Sequence, residues 1–147
     1  GVVHKDINPA NILVAGRAGA EGQRMVRLID FGASSRKRRF TPRYGAPEQH
    51  IPLIFGEIGP ASDIFSLGLV GYELFEGGFP YATEAAAGVL AAAGELRLHF
   101  AQCRNTAIQE VLTRMLRKEP EERIATVTEI IEIMIDILRY SGAGHET

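Results

Sequence analysis

Residues 4–11 read His-Lys-Asp-Ile-Asn-Pro-Ala-Asn, a polar loop between the apolar residues 2–3 and 12–14. One carboxylate and two amides stand close together in this loop, which is the kind of side-chain set that a chemical site uses. An isolated Asp or Asn in a loop is nevertheless more often a cap or turn residue than a ligand. Asp6 alone therefore favours a structural interpretation, and the meaning of the loop depends on the motifs around it.

Two further motifs follow this loop along the chain. Residues 30–32 read Asp-Phe-Gly after an apolar segment, and residues 46–48 read Ala-Pro-Glu. Phosphoryl transfer needs a base that orients a hydroxyl, oxygen ligands for magnesium, and a rigid frame that holds both. Loop 4–11 matches the pattern H-R-D-L-x-x-x-N with lysine in place of arginine. Each motif is a weak signal by itself, and their conjunction at this order and spacing is strong evidence.

With these motifs the chain resembles the C-terminal lobe of the catalytic domain of a eukaryotic-type, bacterial-like serine/threonine protein kinase, over residues 3–138. The resemblance implies an enzyme that uses ATP and Mg2+ to phosphorylate Ser or Thr hydroxyls of a protein substrate. It also implies a mainly α fold (α+β overall), in which a short β-hairpin adjoins a helical bundle around a buried central helix. We expect residues 1–140 to form this partial domain and residues 141–147 to be a tail or linker.

The resemblance also implies which residues react or bind. Asp6 would accept or orient the substrate hydroxyl proton, and Thr41 would hydrogen-bond near it and help to define the substrate platform. Asn11 and Asp30 would hold magnesium, with Asp30 linking the metal to the ATP phosphates. Leu13 would form the floor under the adenine ring.

Six further positions resemble residues that hold the family's frame: His4, Phe31, Gly32, Glu48, Asp63 and Arg123. The His4 and Phe31 rings would pack together and keep the Asp-Phe-Gly loop in its active arrangement. Asp63 would anchor the backbone of loop 4–11 from the central helix. Glu48 would pair with Arg123, because a buried charge without a partner is costly.

Asn8 and Lys5 depart from the usual family pattern. Most Ser/Thr kinases have a lysine where this chain has Asn8, and that lysine would contact the transferred phosphate and the substrate hydroxyl. Asparagine offers hydrogen bonds without charge, so Asn8 is a candidate catalytic residue of a different kind. Lys5 replaces an arginine that usually binds an activation-loop phosphate, and lysine is only a point charge. The loop also resembles that of kinase domains that open some large multidomain bacterial signalling proteins.

Composition limits the alternatives. The chain has 147 residues, 46% hydrophobic and 23% charged, which suits one globular domain. Its net charge of −2 gives no indication of a nucleic-acid partner. The single cysteine, Cys103, excludes an intrachain disulfide and favours a cytoplasmic setting. The longest apolar run, residues 64–75, is shorter than the ~20 residues that span a bilayer, so no membrane segment is expected.

Hydrophobic periodicity and cap residues predict the secondary structure. The predicted elements are a β-hairpin (12–14 and 25–29), an irregular loop (31–60), a central helix with Ser62 as N-cap, and helices over 84–93, 106–117 and 126–140. Gly77, Gly78 and Pro80 would end the central helix. Thr126 and Glu129 would form a capping box at the start of the last helix.

Only three residues precede His4, so the given sequence holds no Gly-rich loop, strand lysine or partner glutamate before it. We expect this start to be a cut, with the nucleotide-clamping N-lobe supplied by the parent chain. Apolar surface should then be exposed where that lobe would pack.

Three functions remain open from the sequence. Protein phosphorylation leads, and a pseudokinase or interaction module is favoured by Asn8 but disfavoured by Asp6, Asn11 and Asp30 together. A small-molecule phosphotransferase of the aminoglycoside-kinase type shares the H-x-D-x-x-x-x-N loop, but the other motifs belong to protein kinases. The basic run 36–39 is either a solvated loop or a surface for an acidic substrate or phosphate.

Overall fold

The computed structural model describes residues 2–16, 24–31, 40–81, 96 and 98–142. The strands are β1 (Ile12–Gly16) and β2 (Arg24–Leu28), and the helices are α1 (Pro47–His50), α2 (Pro52–Phe55), α3 (Pro60–Glu76), α4 (Thr106–Met115) and α5 (Val127–Gly142). Short 3-10 turns lie at Pro9–Asn11, Pro42–Tyr44 and Pro120–Glu122. The predicted combination of a mainly helical fold with one small hairpin is confirmed for the described part.

The hairpin connects loop 4–11 to the Asp-Phe-Gly motif. β1 and β2 pair antiparallel, with Ile12 opposite Leu28. These two side chains are partly buried against the core, which fixes the face that the hairpin presents to it. The pairing continues one step further, because the Ile29 N–H donates to the Asn11 carbonyl at 2.9 Å. The end of loop 4–11 is therefore held beside residue 30.

Helix α3 is the buried centre of the fold, as predicted. Phe65 and Leu69 are fully inaccessible, and Ile64 is nearly so. The helix packs closely against α4 at Gly68, where an added Cβ would lie 3.0 Å from the Met115 Cβ. A side chain at this position would therefore push the two helices apart.

The prediction that Ser62 caps α3 is wrong. The helix begins at Pro60 with Gly59 as its N-cap residue, and proline suits this first position because its missing N–H needs no partner there. The Ser62 hydroxyl instead accepts from the Gly59 N–H at 3.2 Å and points into the core. At the other end, Gly77 has a φ of 66° and ends the helix as predicted.

Helices α4 and α5 form the second part of the core with α3. The predicted capping box is half right: the Thr126 hydroxyl accepts from the Glu129 N–H at 3.1 Å, but the Glu129 carboxylate pairs with Arg114 of α4. The helix bounds also differ by up to two residues, since α4 ends at Met115 and α5 continues into the predicted tail, to Gly142. The predicted helix over 84–93 lies outside the described residues.

The stretch predicted as an irregular loop is partly helical between residues 40 and 60. Helices α1 and α2 each begin with proline at the first helical position, which sets the backbone for a short helix. The prolines that indicated a loop therefore start two helical turns here. Among the described residues, no helix has both the length and the apolar character needed to cross a membrane.

Candidate active site

Asp63 of α3 holds the backbone of loop 4–11. One carboxylate oxygen accepts from the His4 N–H at 2.7 Å, and the other accepts from the Lys5 N–H at 2.8 Å. Lys5 has a φ of 70°, a conformation that costs a non-glycine residue energy. The Lys5 carbonyl in turn accepts from the Gln49 side chain at 2.7 Å. Side chains from two helices therefore hold both backbone groups of this strained residue.

The His4 ring links the loop to the Asp-Phe-Gly motif. It is almost completely buried, with Nε2 2.8 Å from the Ile29 carbonyl and Nδ1 accepting from the Asp6 N–H at 3.2 Å. Because a carbonyl only accepts and a backbone N–H only donates, these two partners fit the ring tautomer with its proton on Nε2. The Phe31 ring packs against it edge-on, with 4.7 Å between centroids. His4 thus fixes residues 29–31 relative to Asp6.

Asp6, Asn8 and Thr41 form a hydrogen-bonded network. The Oδ1 atom of Asp6 accepts from the Thr41 N–H at 2.7 Å and from the Asn8 Nδ2 at 3.0 Å. The same Asn8 nitrogen lies 3.1 Å from the Thr41 hydroxyl. Asn8 is buried, and its Oδ1 accepts from the Ala10 N–H at 3.0 Å, which fixes the orientation of its amide. The network leaves Oδ2 as the less engaged oxygen of Asp6.

Asn11 and Asp30 lie on neighbouring parts of the hairpin. The Asn11 Nδ2 donates to the Asp6 carbonyl at 2.8 Å, so its Oδ1 is turned away from Asp6. Asp30 follows the last pairing of the hairpin and has an exposed side chain, with a φ of 59°. An amide oxygen and a carboxylate are the hard oxygen ligands that Mg2+ prefers, so this pair fits magnesium by its chemistry. No cluster of three or more His, Cys, Asp or Glu ligands occurs in the described ranges.

Glu48 and Arg123 form a fully buried ion pair. The two contacts are bidentate, at 2.7 Å and 2.9 Å, and the guanidinium donates its remaining N–H groups to three backbone carbonyls. Ser62 also donates to Glu48 at 2.7 Å. Every donor of Arg123 is therefore used, which compensates for removing both charges from water.

Leu13 and Gly32 stand apart from these contacts. Leu13 lies on β1 opposite Arg27, with its side chain about half exposed at 49%. It is presented on the hairpin surface and is not part of the core. Gly32 lies outside the described residues.

A family comparison identifies the domain to which this geometry belongs. A model of the protein kinase domain matches residues 1–134. The chain belongs to the protein kinase domain family. Membership of this family agrees with the order of the motifs at residues 4–11, 30–32 and 46–48. It also agrees with the antiparallel hairpin between the first two motifs.

Several curated proteins are similar to this chain in sequence. A serine/threonine-protein kinase from Corynebacterium efficiens, drp72, is 30% identical over 88% of the chain, and Pkn1 of Myxococcus xanthus is 32% identical over 86%. The serine/threonine-protein kinase STE20 of Saccharomyces cerevisiae is 32% identical over 89%. The chain spans 25%, 20% and 14% of the length of these three proteins, respectively.

Three side chains connect residues 4–11 and 41–48 to the helices and were not identified from the sequence. They are Gln49, Tyr44 and Glu73. Gln49 bridges the Lys5 carbonyl and the Ala46 N–H, and it is buried. Tyr44 donates to Glu73 of α3 at 2.5 Å. Gln49 directly follows the Ala-Pro-Glu motif, which was the only signal available for it. Nothing local in the sequence indicated the Tyr44 to Glu73 contact.

We expect Asp63→Asn to weaken the anchoring of loop 4–11. Asparagine keeps one acceptor but turns an amide donor toward the second backbone N–H, and an unpaired buried donor costs about 1–3 kcal/mol. Amide hydrogen exchange of His4 and Lys5 should become faster, and the free energy of unfolding should fall by a similar amount. The exposed Asp136→Asn serves as the control. Unchanged exchange at both amides would contradict the anchoring role.

Proposed function

We propose that this chain is the catalytic half of a kinase domain that transfers the γ-phosphoryl group of ATP to Ser or Thr hydroxyls of a protein substrate. The observation that carries the proposal is the Asp6 carboxylate, whose Oδ1 is held by Thr41 and Asn8 while its Oδ2 is less engaged. A general base must be positioned before it can act, and this network positions it.

In the proposed reaction, Oδ2 of Asp6 accepts the hydrogen bond of the substrate hydroxyl. Asn11 approaches this oxygen only weakly, with its Nδ2 at 3.4 Å. The hydroxyl oxygen forms a bond to the γ-phosphorus, the bond from that phosphorus to the bridging oxygen breaks, and ADP leaves with the electron pair. The hydroxyl proton passes to Asp6. The Thr41 N–H holds the Oδ1 atom of this carboxylate. In the proposal, the substrate platform begins at Thr41.

Asn11 and Asp30 would hold the magnesium ion in this proposal, since Asn11, which contacts Asp6, supplies an amide oxygen and Asp30, at the end of the hairpin, supplies a carboxylate. Bound there, the metal supplies charge neutralisation at the phosphates. The chain's own contribution is the hairpin pairing beyond β1 and β2, which keeps the backbone of Asn11 next to Ile29. The His4 and Phe31 contact then restrains the segment that carries Asp30.

Asn8 is proposed as a positioning residue that carries no charge to the transferred phosphate. Its amide is fully directed toward Asp6, Thr41 and Ala10, and the side chain is buried. In this proposal Asn8 orients the base through hydrogen bonds alone, whereas a lysine at the same position would also add a positive charge. Asp63 and Gln49 hold the backbone of Lys5, which directly precedes Asp6 in the same loop.

We predict that Asn8→Ala lowers kcat about tenfold and leaves the KM for ATP little changed, because the base loses its orientation while the proposed nucleotide-binding residues remain. Hydrogen exchange at the Thr41 amide should accelerate in parallel. Equal loss of kcat and rise of KM for ATP would instead point to direct nucleotide contact by Asn8. Steady-state kinetics with ATP and peptide varied separately separate the two results.

A nucleotide-clamping lobe is proposed to cover the exposed apolar side chains of the hairpin. Large apolar side chains are exposed on or beside this hairpin: Leu13, Val14, Met25, Val26, Ile29 and Phe31. A monomeric protein rarely leaves an extended apolar surface open to water, so a covering lobe would account for these exposed side chains. Leu13 would then meet the adenine ring, and the covering lobe is the implied partner of this half.

The proposal is tested by assaying the protein that contains this chain with γ-labelled ATP, Mg2+ and peptides with a single Ser or Thr. We expect label on the peptide hydroxyl, and removal of Mg2+ with a chelator should abolish transfer. Label on an aminoglycoside in place of the peptide would support the small-molecule alternative. Binding of a protein partner with no transfer to any acceptor would support the pseudokinase alternative and overturn the enzyme.

A further inference from the structure

A charged cluster lies where the segment after Thr41 meets α3 and the residues that follow it. It consists of Arg43, Tyr44, Glu73 and Phe79. The Arg43 guanidinium lies over the Phe79 ring, with 4.4 Å from its carbon to the ring centroid. One of its nitrogens is 3.8 Å from Glu73 Oε1, and the Tyr44 hydroxyl donates to Glu73 Oε2 at 2.5 Å. The Tyr44 and Phe79 rings also pack edge-on at 5.3 Å. This arrangement joins the 41–48 segment to α3.

The cluster is close to the proposed reacting groups. The Thr41 N–H contacts the Asp6 carboxylate directly, and Arg43 follows two residues later. Two residues span at most ~7 Å of backbone. An extended substrate with its hydroxyl at Asp6 would therefore bring its neighbouring residues within reach of the Arg43 side chain.

The contacts of the two charges with Tyr44 and with each other differ in length. Glu73 has one oxygen in a short, charge-assisted hydrogen bond from buried Tyr44, so this carboxylate is strongly committed to the fold. The Arg43 contact to Glu73 is much longer, and its side chain is 36% exposed. Stacking on Phe79 fixes the plane of the guanidinium, and the exposed part of the side chain is accessible to a planar anion.

The sequence that precedes Arg43 is rich in positive charge. The sequence has no acidic residue between Asp30 and Glu48, whereas it has five cationic ones, at 36–39 and 43. His50 on α1 adds no positive charge at neutral pH, because burial lowers its pKa below the ordinary value, although hydrogen bonds with the Pro42 and Gly45 backbone act in the opposite direction. A negatively charged substrate residue would therefore meet attraction along this segment.

We infer that Arg43 selects protein substrates that carry an anionic side chain, an acidic or a phosphorylated residue, within about three positions of the acceptor hydroxyl. The inference rests on the proposed function, because it names the substrate class of the same site. Glu73 acts against this preference by partly neutralising Arg43. Removing the charge of Glu73 should therefore strengthen the preference, while removing Arg43 should weaken it.

The test uses single-serine peptides that differ at one position, scanned from three residues before to three residues after the serine. Each position carries alanine, aspartate, phosphoserine or lysine, and kcat/KM is measured on the protein that contains this chain. We expect at least one position where an anion raises kcat/KM about fivefold over alanine, and where lysine lowers it. A preference for phosphoserine without one for aspartate would assign the subsite to a phosphorylated residue.

The variants separate this subsite from general charge effects. Arg43→Ala should reduce the anion-to-alanine ratio to about one, and Glu73→Gln, which can still accept from Tyr44, should raise it. Arg139→Ala removes an exposed arginine of a comparable ion pair with Asp136, 3.6 Å long on α5, and should leave the ratio unchanged. Equal kcat/KM for all peptides, or an anion preference that survives Arg43→Ala, would overturn the inference. Absence of transfer to every peptide would instead overturn the proposed function.

Discussion

Replacing Arg123 with alanine is expected to lower the free energy of unfolding by about 3–5 kcal/mol, because it leaves the Glu48 carboxylate buried without its cation. Three backbone carbonyls would lose their donor at the same time. The guanidinium also lies over Phe65 of the central helix at 4.9 Å, so the loss reaches the core. Chemical denaturation of the purified variant measures the effect.

Two further variants identify the cause of this loss. Arg123→Lys keeps the charge but cannot reproduce the five donors of a planar guanidinium, so an intermediate loss is expected. Arg114→Ala removes the partner of Glu129 in a pair whose side chains are 41% and 35% exposed, and should cost less than about 1 kcal/mol. Equal losses for Arg123→Ala and Arg114→Ala would show that burial does not determine the strength of the first pair.

Replacing Asp30 with asparagine is expected to abolish Mg2+-dependent phosphorylation while leaving the fold intact. Asparagine has nearly the same shape and tolerates the left-handed backbone that Asp30 adopts, so little change in unfolding free energy is expected. It lacks the negative charge that the proposal assigns to metal binding. Transfer measured over a range of Mg2+ concentrations, together with thermal unfolding, checks both parts of this prediction.

The control for Asp30→Asn is Glu57→Gln, which removes the charge of an exposed carboxylate in the loop before α3. It should keep full transfer at every Mg2+ concentration. Retained turnover in Asp30→Asn would contradict the assignment of Asp30 as a magnesium ligand. It would not contradict the proposed kinase activity. Loss of turnover together with loss of the folded state would instead show that Asp30 is needed for folding.

Local patterns predicted the hairpin and the helices α3, α4 and α5, because these elements depend on nearby residues. The hairpin follows from two apolar segments separated by a glycine-rich turn, and the central helix from apolar residues around its whole circumference. The errors occur where two local signals compete. Ser62 resembles an N-cap, but Gly59 takes this position three residues earlier, because proline at residue 60 is suited to the first helical position.

The motifs indicated which residues matter, but not how they contact one another. The sequence marks Asn8 as a departure from the family pattern, and its missing charge predicts weaker stabilisation of the reaction. The structure shows its amide turned between Asp6 and Thr41, 33 residues away. Which way an amide points depends on neighbours that fold beside it, and these neighbours are set by tertiary packing.

By itself the sequence determined the family motifs, their order, and the hairpin and buried helix that carry them, since each of these is encoded within a short stretch of chain. Only the tertiary structure decided the partners. Asp63 reaches His4 across 59 positions, Arg123 reaches Glu48 across 75, and Arg43 meets Glu73 where α3 passes the segment after Thr41. These contacts depend on how the helices pack, because hydrogen bonds and ion pairs require side chains within about 3–4 Å, whatever their separation in sequence.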